Sequence, residues 1–264
     1  MINIKELEMY FEQEAKDFPG KVAYYFHDFS DTTLSFGRSA EEQVVSASTI
    51  KVPVMMALFS KMKQGDMDLE DTLTVKQEQI LDDSKVFEEG ERKASFYELI
   101  VWMIVSSDNT ATNVLMSYLG FDTMNNYFKE IGLKHTKAER LMLDFKAVEE
   151  GRNNYISPAD FYQCMCILKN TADSDSYAKL GLDIMSKNRD YDSLCRYLYE
   201  GPYCAHKTGG LDDIVHDAGI IRAGNREYFL GVFISEFTPV PENERLAEQL
   251  IGRLSRKVYY MYKA

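Results

Sequence analysis

The sequence Ser48-Thr-Ile-Lys51, followed directly by Val-Pro-Val-Met-Met-Ala-Leu-Phe at 52–59, joins two reactive side chains to a long apolar stretch. The stretch has no polar face, which predicts a helix buried on all sides. Positions i and i+3 share one face of a helix, so Lys51 lies one turn from Ser48 and can reach its hydroxyl. A serine becomes a strong nucleophile when a neighbouring base takes its proton. A lysine can be that base when burial or a nearby cation lowers its pKa.

Ser48 has two interpretations at this position. It can cap the helix, as serines commonly do. It can also be a nucleophile whose developing negative charge is favoured at the N-terminal end of the helix dipole. The short pattern S-x-x-K does not decide between them, because it occurs twice more, at Ser60…Lys63 and Ser176…Lys179. Both additional copies lie in polar surroundings that are typical of a solvated surface.

Two further motifs follow along the chain. The triplet S-D-N at 107–109 comes after the apolar run 99–105, where these residue types can also end one helix and cap the next. The sequence K-T-G-G at 207–210 ends a strand-like segment and enters a glycine turn. Each motif alone fits a purely structural role. The three motifs begin 59 and 100 residues apart, and their combination in this order is not expected by chance.

The remaining sequence predicts an α+β fold in which both chain ends build one antiparallel sheet. Residues typical of strands occur at 21–27, 32–36, 203–208, 214–222 and 227–235. Helical patterns occupy 2–17 and 239–262, and the signals from 48 to 187 are mostly helical. We expect a single domain over 1–264, with a sheet lobe of 1–45 plus 200–264 flanked by helices. An inserted all-α lobe of 46–199 would face it across a cleft.

Composition excludes several classes of partner. The chain has 30 Lys+Arg against 42 Asp+Glu, a net charge of −12, whereas nucleic-acid binding needs clustered cations. The first twenty residues contain no continuous apolar segment of the signal-peptide kind, and the longest apolar run, 99–105, is too short to span a bilayer. We therefore expect a cytoplasmic protein with no nucleic-acid or membrane partner.

The four cysteines are Cys164, Cys166, Cys195 and Cys204. They form no C-x-x-C pair, and no histidine completes a typical zinc spacing with them. This pattern favours free thiols in a reducing compartment. The motifs described above need neither a metal nor a cofactor, and we expect none.

Flanking residues extend the three motifs. A-S-T-x-K-V precedes the apolar helix, S-D-N-T-A-x-N-x-L surrounds the turn, and H-K-T-G lies on a strand. With these flanks the sequence resembles class A β-lactamases and the wider penicillin-recognising serine hydrolases over nearly the whole chain. The resemblance implies the β-lactamase/transpeptidase-like fold and a serine hydrolase that works through an acyl-enzyme.

The resemblance also implies a role for each motif residue. Ser48 would be the acylated nucleophile, Lys51 its proton acceptor, and Ser107 the relay that passes a proton to the leaving nitrogen. Lys207 would keep Lys51 partly deprotonated by repulsion and, together with Thr208, would meet a carboxylate of the substrate.

Three further residues complete the implied site. Asn109 would bind the amide of an acyl side chain, and the backbone N–H groups of Ser48 and Gly210 would form the oxyanion hole. Asn113 matches the asparagine that ties the S-D-N turn to the neighbouring loop. The partner implied is a small-molecule or peptide-like acyl substrate, and the sequence indicates no oligomeric state.

The sequence departs from the family where water must attack the acyl-serine. Class A enzymes use a glutamate in the pattern E-x-x-L-N for this step, and the corresponding segment 139–158 lacks the pattern and is shorter. Asp144 lies nearest the expected position of the water-activating base, although it is one methylene shorter and has no companion asparagine. Glu149 and Glu150 are expected on a solvated face.

A second departure lies on the strand after K-T-G. Many relatives present an arginine there, whereas this chain has His216 and Asp217. Adjacent strand residues point to opposite faces, so only one of the two can line the cleft. His216 is either a cleft residue or a structural histidine with both ring nitrogens satisfied.

The sequence thus predicts a serine hydrolase that acts on a β-lactam, an amide or an ester through acyl-Ser48. The alternative is a penicillin-binding or sensor-like protein that is acylated without efficient turnover.

Overall fold

The computed structural model describes residues 3–263. Residues 1, 2 and 264, which the sequence predictions placed in the first helix or at the ends of the sheet lobe, lie outside the described residues. A five-stranded antiparallel sheet forms the centre, with strands β1 (Lys21–Asp28), β2 (Ser35–Arg38), β7 (Cys204–Leu211), β8 (Ile214–Ala223) and β9 (Arg226–Ser235). Their order is β2-β1-β9-β8-β7, so both chain ends build one sheet, as predicted.

Strand β7, which carries the K-T-G motif, is an edge strand of this sheet. It pairs with β8 from Cys204↔Ile221 to Leu211↔Ile214. A Cβ on Gly219 would lie 2.3 Å from the carbonyl oxygen of Ala205, so only glycine allows β8 to approach β7 this closely. The free side of β7 faces the helices of the middle region, where the other motifs lie.

One face of the sheet is covered by the two terminal helices, α1 (Ile4–Lys16) and α9 (Pro241–Lys263). Leu250, Leu254 and Val258 on α9 repeat every fourth residue and are fully buried in this core, which confirms the predicted terminal helix. Neither α9 nor any other helix within residues 3–263 is long and apolar enough to cross a membrane.

The other face is covered by the helices of the middle region. These are α2 (Lys51–Gln64), α3 (Phe96–Val105), α4 (Asn109–Leu119), α5 (Phe121–Glu130), α6 (Phe145–Glu149), α7 (Pro158–Thr171) and α8 (Ser176–Met185). Residues 51–59 of α2 are buried without exception, as its lack of a polar face predicts. A capping box forms at the start of α3, where the Ser95 hydroxyl accepts from the Glu98 N–H.

Two small antiparallel sheets were not predicted, and three of their four strands lie within residues 46–199, which the sequence predicted to be all-α. Strand β3 (Val44–Val45) pairs with β6 (Tyr155–Ile156), and β4 (Thr72–Val75) pairs with β5 (Arg92–Ser95). These strands have two to four residues, too few for an alternating pattern to show in the sequence. The β3–β6 pair matters for function, because it anchors the chain directly before Ser48.

Candidate active site

Ser48 lies in the 3-10 turn Ala47–Ile50, directly before α2, and its side chain is half-buried. The cap positions of the turn and the helix are occupied by Ser46 and Ile50, which make no side-chain capping bond. Ser48 is therefore not the cap of this helix. Ala47 beside it has a left-handed backbone with φ of 44°, a conformation that costs energy outside glycine and is concentrated at functional sites.

Lys51 follows one turn later and is fully buried. Its Nζ donates to the Ser107 carbonyl oxygen at 2.7 Å, to Ser107 Oγ at 3.0 Å and to Asn109 Oδ1 at 2.8 Å. These three bonds use all three donors of an ammonium group. In the described part of the chain no hydrogen bond joins Ser48 Oγ to Lys51 Nζ, although the two residues lie one turn apart.

Burial sets the charge of the two lysines, because removal from water disfavours the ammonium form. Burial, and after it repulsion from Lys207, holds the pKa of Lys51 well below its ordinary value, and the attraction of Asp108 and Asp83 opposes this shift. Burial also lowers the pKa of Lys207 to about 8, against the attraction of nearby acids. Both lysines therefore lose a proton more readily than an exposed lysine does.

Ser107 connects the two lysines. It lies in the turn between α3 and α4 with a left-handed backbone, φ 51°, and its hydroxyl oxygen accepts from Lys51 Nζ and from Lys207 Nζ, each at 3.0 Å. Lys207 also donates to the carbonyl oxygen of Thr208 at 2.8 Å. Because the Ser107 oxygen accepts twice, its own hydrogen is free to be donated to a third group.

Two glycines of β7 lie where the strand approaches the turn that contains Ser48. A Cβ on Gly209 would lie 3.1 Å from the Ser48 nitrogen and 3.2 Å from the Ala47 Cβ, so the strand comes this close because the side chain is absent. A Cβ on Gly210 would meet nothing nearer than the Ile214 carbonyl oxygen at 3.8 Å. The backbone of β7 thus lies directly beside that of Ser48.

Asn109 is engaged through both ends of its side-chain amide. Its Oδ1 accepts from Lys51, and its Nδ2 donates to Asp83 Oδ2 at 2.6 Å. The loop carrying Asp83 is fixed by the next residue, because the Ser84 hydroxyl donates at 2.6 Å to Asp108, the cap of α4. Asp83 could not be predicted from the sequence as a site residue, because it lies in a polar stretch and belongs to no motif.

The loop that follows α5 is tied to the S-D-N turn by Asn113. The Asn113 side chain accepts from the Met142 N–H at 2.6 Å and donates to the Met142 carbonyl oxygen at 3.1 Å. Met142 is an apolar, buried residue. Asp144 accepts from the Ala147 N–H at 3.0 Å and caps the short helix α6. Across residues 3–263 no hydrogen bond connects Asp144 with Ser48 or the two lysines.

His216 and Asp217 point to opposite faces of the sheet, as alternation requires. His216 is buried, and its two ring nitrogens contact backbone: Nε2 lies 3.0 Å from the Val45 carbonyl oxygen, and Nδ1 accepts from the Ile234 N–H at 3.2 Å. Burial lowers its pKa to about 4. Asp217 bonds to His206 on the far face. His216 is thus satisfied by the fold.

A cavity of about 870 Å³ lies at the end of β7, and its lining residues do not include Ser48, Lys51, Ser107 or Lys207. Its wall includes Val45, three residues before Ser48, and Leu211, directly after Gly210. Apolar side chains of the loop, among them Leu143 and Phe145, line the opposite side. This volume is in the range of pockets that hold small organic ligands.

The chain is similar in sequence to β-lactamases. The sequence model of the beta-lactamase enzyme family matches residues 5–262. The extended-spectrum beta-lactamase PER-1 of Pseudomonas aeruginosa is 22% identical over 234 residues, which cover 83% of this chain and 75% of that protein. A beta-lactamase of Rhodobacter capsulatus is 27% identical over 124 residues, a match that spans 45% of this chain and 42% of that protein.

Solved structures share the fold over nearly the full chain. PBP-A superposes with a TM-score of 0.86 at 26% identity, covering 98% of this chain and 96% of that chain. A mutant of PBP-A, solved as an acyl-enzyme complex with penicillin G, gives the same TM-score of 0.86. The TLA-3 extended-spectrum beta-lactamase reaches 0.90 over 99% of this chain and 100% of its own, and at 20% identity this similarity shows the fold alone.

Proposed function

The chain belongs to the beta-lactamase enzyme family, and from this premise we propose that it is a serine acyl hydrolase in which Ser48 carries the acyl group. One observation carries the proposal: the Ser107 hydroxyl lies 3.0 Å from the amine nitrogens of both Lys51 and Lys207. A proton relay needs a hydroxyl that contacts both a base and a cation, and here these are Lys51, with its lowered pKa, and Lys207.

In the proposed acylation, neutral Lys51 accepts the proton of the Ser48 hydroxyl while Ser48 Oγ attacks the carbonyl carbon of the substrate. The bond from that carbon to the leaving nitrogen or oxygen then breaks. The leaving atom takes the hydrogen of the Ser107 hydroxyl, which is replaced by a proton from the Lys51 ammonium. The products are an ester on Ser48 and an amine or alcohol, and Lys51 is neutral again.

The groups around this relay would bind the substrate. The backbone N–H groups of Ser48 and Gly210 are proposed as the oxyanion hole, which the close approach of β7 at Gly209 supports; one such donor is worth about 3–4 kcal/mol to a transition state. Lys207, together with Thr208, is proposed to bind a carboxylate. Asn109 has a second N–H besides the one held by Asp83, and this N–H is the proposed donor to the acyl side chain.

The proposed substrate is a small-molecule or peptide-like acyl compound: a β-lactam, an amide or an ester. The cavity of about 870 Å³ at the end of β7 is large enough for an acyl group, and its walls combine apolar with charged side chains. The cytoplasmic location expected from the sequence stays a prediction.

A second candidate is a protein that is acylated by penicillin-like compounds and releases the acyl group slowly. This candidate is favoured by Met142, which lies in the loop segment that Asn113 holds against the S-D-N turn. Met142 is buried and apolar, and an apolar side chain cannot activate a water for attack on the acyl group. Asp144, proposed here as the water-activating base, uses one carboxylate oxygen to cap α6. Rapid turnover requires that its other oxygen position a water beside acyl-Ser48.

The test is intact-protein mass spectrometry together with product release, after incubation with a penicillin and separately with a simple ester or thioester. Wild type is compared with Ser48→Ala. Ser60→Ala is the matched control, because Ser60 has the same spacing to Lys63 at the far end of the same helix.

Sustained product release that is lost only in Ser48→Ala supports the hydrolase. A stable adduct of one acyl group on Ser48, with a single burst of product, supports the second candidate. Equal reaction of wild type and Ser48→Ala, or no reaction with any of the probes, contradicts the acyl-Ser48 proposal for these substrate classes.

A further inference from the structure

Behind the catalytic strand, the fold collects two cysteines and a histidine that are not part of the site described above. Cys204 and His206 lie two residues apart on β7 and therefore point to the same face, opposite to Lys207. Cys195 comes from the loop at 193–198, after α8. The two sulfur atoms and a ring nitrogen of His206 all lie within 4.8 Å of one another.

The histidine is held in place by a buried carboxylate. His206 Nδ1 lies 2.8 Å from Asp217 Oδ1, and both residues are almost completely buried. Asp217 Oδ2 accepts from the Leu194 N–H at 2.9 Å, so one carboxylate fixes both the histidine and the loop next to Cys195. In the neutral ring with its hydrogen on Nδ1, which donates to the carboxylate, Nε2 has the free lone pair that a metal ion can bind. Histidines that bind metals are commonly oriented in this way.

We propose that Cys195, Cys204 and His206 bind a zinc ion. Two thiolates and an imidazole are the soft and borderline ligands that zinc prefers. In a tetrahedral site, Zn–S bonds of about 2.3 Å and Zn–N bonds of about 2.0 Å place the ligand atoms about 3.5–3.8 Å apart, and the observed separations of at most 4.8 Å need little adjustment. The two thiolates balance the charge of Zn²⁺.

Three protein ligands leave one coordination position for water or an external donor. Cys195 is only partly buried, whereas Cys204 is buried, so the ion can enter from the side of Cys195. Bound zinc would link the loop at 193–198 to the strand that carries Lys207. The proposal is independent of any acyl-enzyme chemistry.

The test uses the whole protein, reduced and freed of metal with a chelator, and then titrated with Co²⁺. Thiolate-bound Co²⁺ has an intense charge-transfer absorption, and Zn²⁺ should displace it. We expect one metal ion per chain. Cys195→Ser should weaken binding by about 100-fold or more and reduce the charge-transfer band. Asp217→Asn should weaken binding by about 10- to 100-fold, the usual effect of removing the carboxylate that orients a histidine ligand.

Cys166→Ser is the matched control, because Cys166 is also a partly buried free thiol but lies outside the cluster. It should bind Co²⁺ and Zn²⁺ as the wild type does. Circular dichroism of each variant separates loss of ligand from loss of fold, and Cys195→Ala provides a second, non-polar replacement. Equal metal uptake by wild type and Cys195→Ser overturns the proposal. Failure of the reduced wild type to take up metal also overturns the proposal. This holds as well if the protein before reduction is two hydrogens lighter, which would mean a disulfide between Cys195 and Cys204.

Discussion

The side-chain amide of Asn109 donates to Asp83 Oδ2 at 2.6 Å, while its carbonyl oxygen accepts from Lys51 Nζ at 2.8 Å. Asn109 therefore connects the proposed base to an exposed acid at the edge of the site. Asp83 uses one N–H of the amide that is proposed to bind the acyl side chain. Its negative charge also opposes the lowering of the Lys51 pKa. We therefore expect the charge of Asp83 to affect the rates at which different acyl groups react.

The first prediction concerns Asp83→Asn. Removing this charge should raise the acylation rate of an ester with an anionic acyl side chain, relative to one with a neutral side chain, by about fivefold, since one screened charge at contact distance is worth about 1 kcal/mol. The measurement is the second-order acylation rate constant for such a matched pair. Asp82→Asn, the exposed neighbour, is the control. An unchanged ratio in Asp83→Asn, or the same change in Asp82→Asn, contradicts the prediction.

The second prediction is a bell-shaped pH profile of acylation for substrates that carry a carboxylate. The rate should rise with pH as Lys51 loses its proton, at a pH well below the ordinary range of lysine. It should fall above about pH 8, where Lys207 loses the charge that binds the carboxylate. An ester without a carboxylate should lose the alkaline fall. The same alkaline fall with both esters would argue against carboxylate binding by Lys207.

The third prediction follows from the same pair of lysines. Lys207→Ala removes a positive charge that lowers the Lys51 pKa, so the acid limb of the profile should move to higher pH. The measurement is the acylation rate of the carboxylate-free ester against pH, because this substrate does not depend on Lys207 for binding. An acid limb at the wild-type pH, or at lower pH, would contradict the assignment of that limb to Lys51.

Each motif could be predicted from the sequence because its own residues are adjacent or one helical turn apart. The meeting of the motifs at Ser107, 56 residues from Lys51 and 100 from Lys207, was implied only by the family resemblance. Ser48 and Lys51 share a helical turn, and K-T-G lies on a strand that β-branched and aromatic neighbours mark. The alternation of side chains along a strand also predicted that His216 and Asp217 point to opposite faces. It could not predict that the ring nitrogens of His216 contact the backbone of Val45 and Ile234, because these contacts depend on how separate elements pack.

Other parts of the site depend on contacts between distant segments and left no local signal. Asp83 meets Asn109 across 26 residues with no motif around it. Cys195 meets Cys204 and His206 because a loop folds over the back of β7, and the spacing does not match a typical zinc motif. The strands β4 and β5 were missed because four residues are too few to show alternation.

The fourth prediction compares two adjacent glycines. An alanine at 209 would place its Cβ 3.1 Å from the Ser48 nitrogen, so the strand and the turn must separate. Acylation should fall by about 10- to 100-fold, since a displacement of a reacting group by about 1 Å can cost 100-fold. Gly210→Ala has open space and leaves the strand and the turn in place, so its acylation should fall less than that of Gly209→Ala. Rapid-mixing acylation rates make the comparison. Equal losses in the two variants would show that side-chain space at 209 is not what positions Ser48.

The fifth prediction concerns acid stability. Burial lowers the pKa of His216 from 6.5 to about 4. Between these pH values the unfolded chain binds a proton at His216 and the folded chain does not. The contribution of His216 to the free energy of unfolding is complete above pH 6.5 and lost as pH falls towards 4. The total change is about 3 kcal/mol at 1.36 kcal/mol per pKa unit. His216→Gln loses the ring contacts with Val45 and Ile234, so it should be less stable than wild type at neutral pH, and it has no proton to take up as the pH falls. Its deficit should shrink as urea unfolding is repeated from pH 7 down to pH 5, whereas a deficit that stays constant across this range would mean that His216 contributes by packing alone.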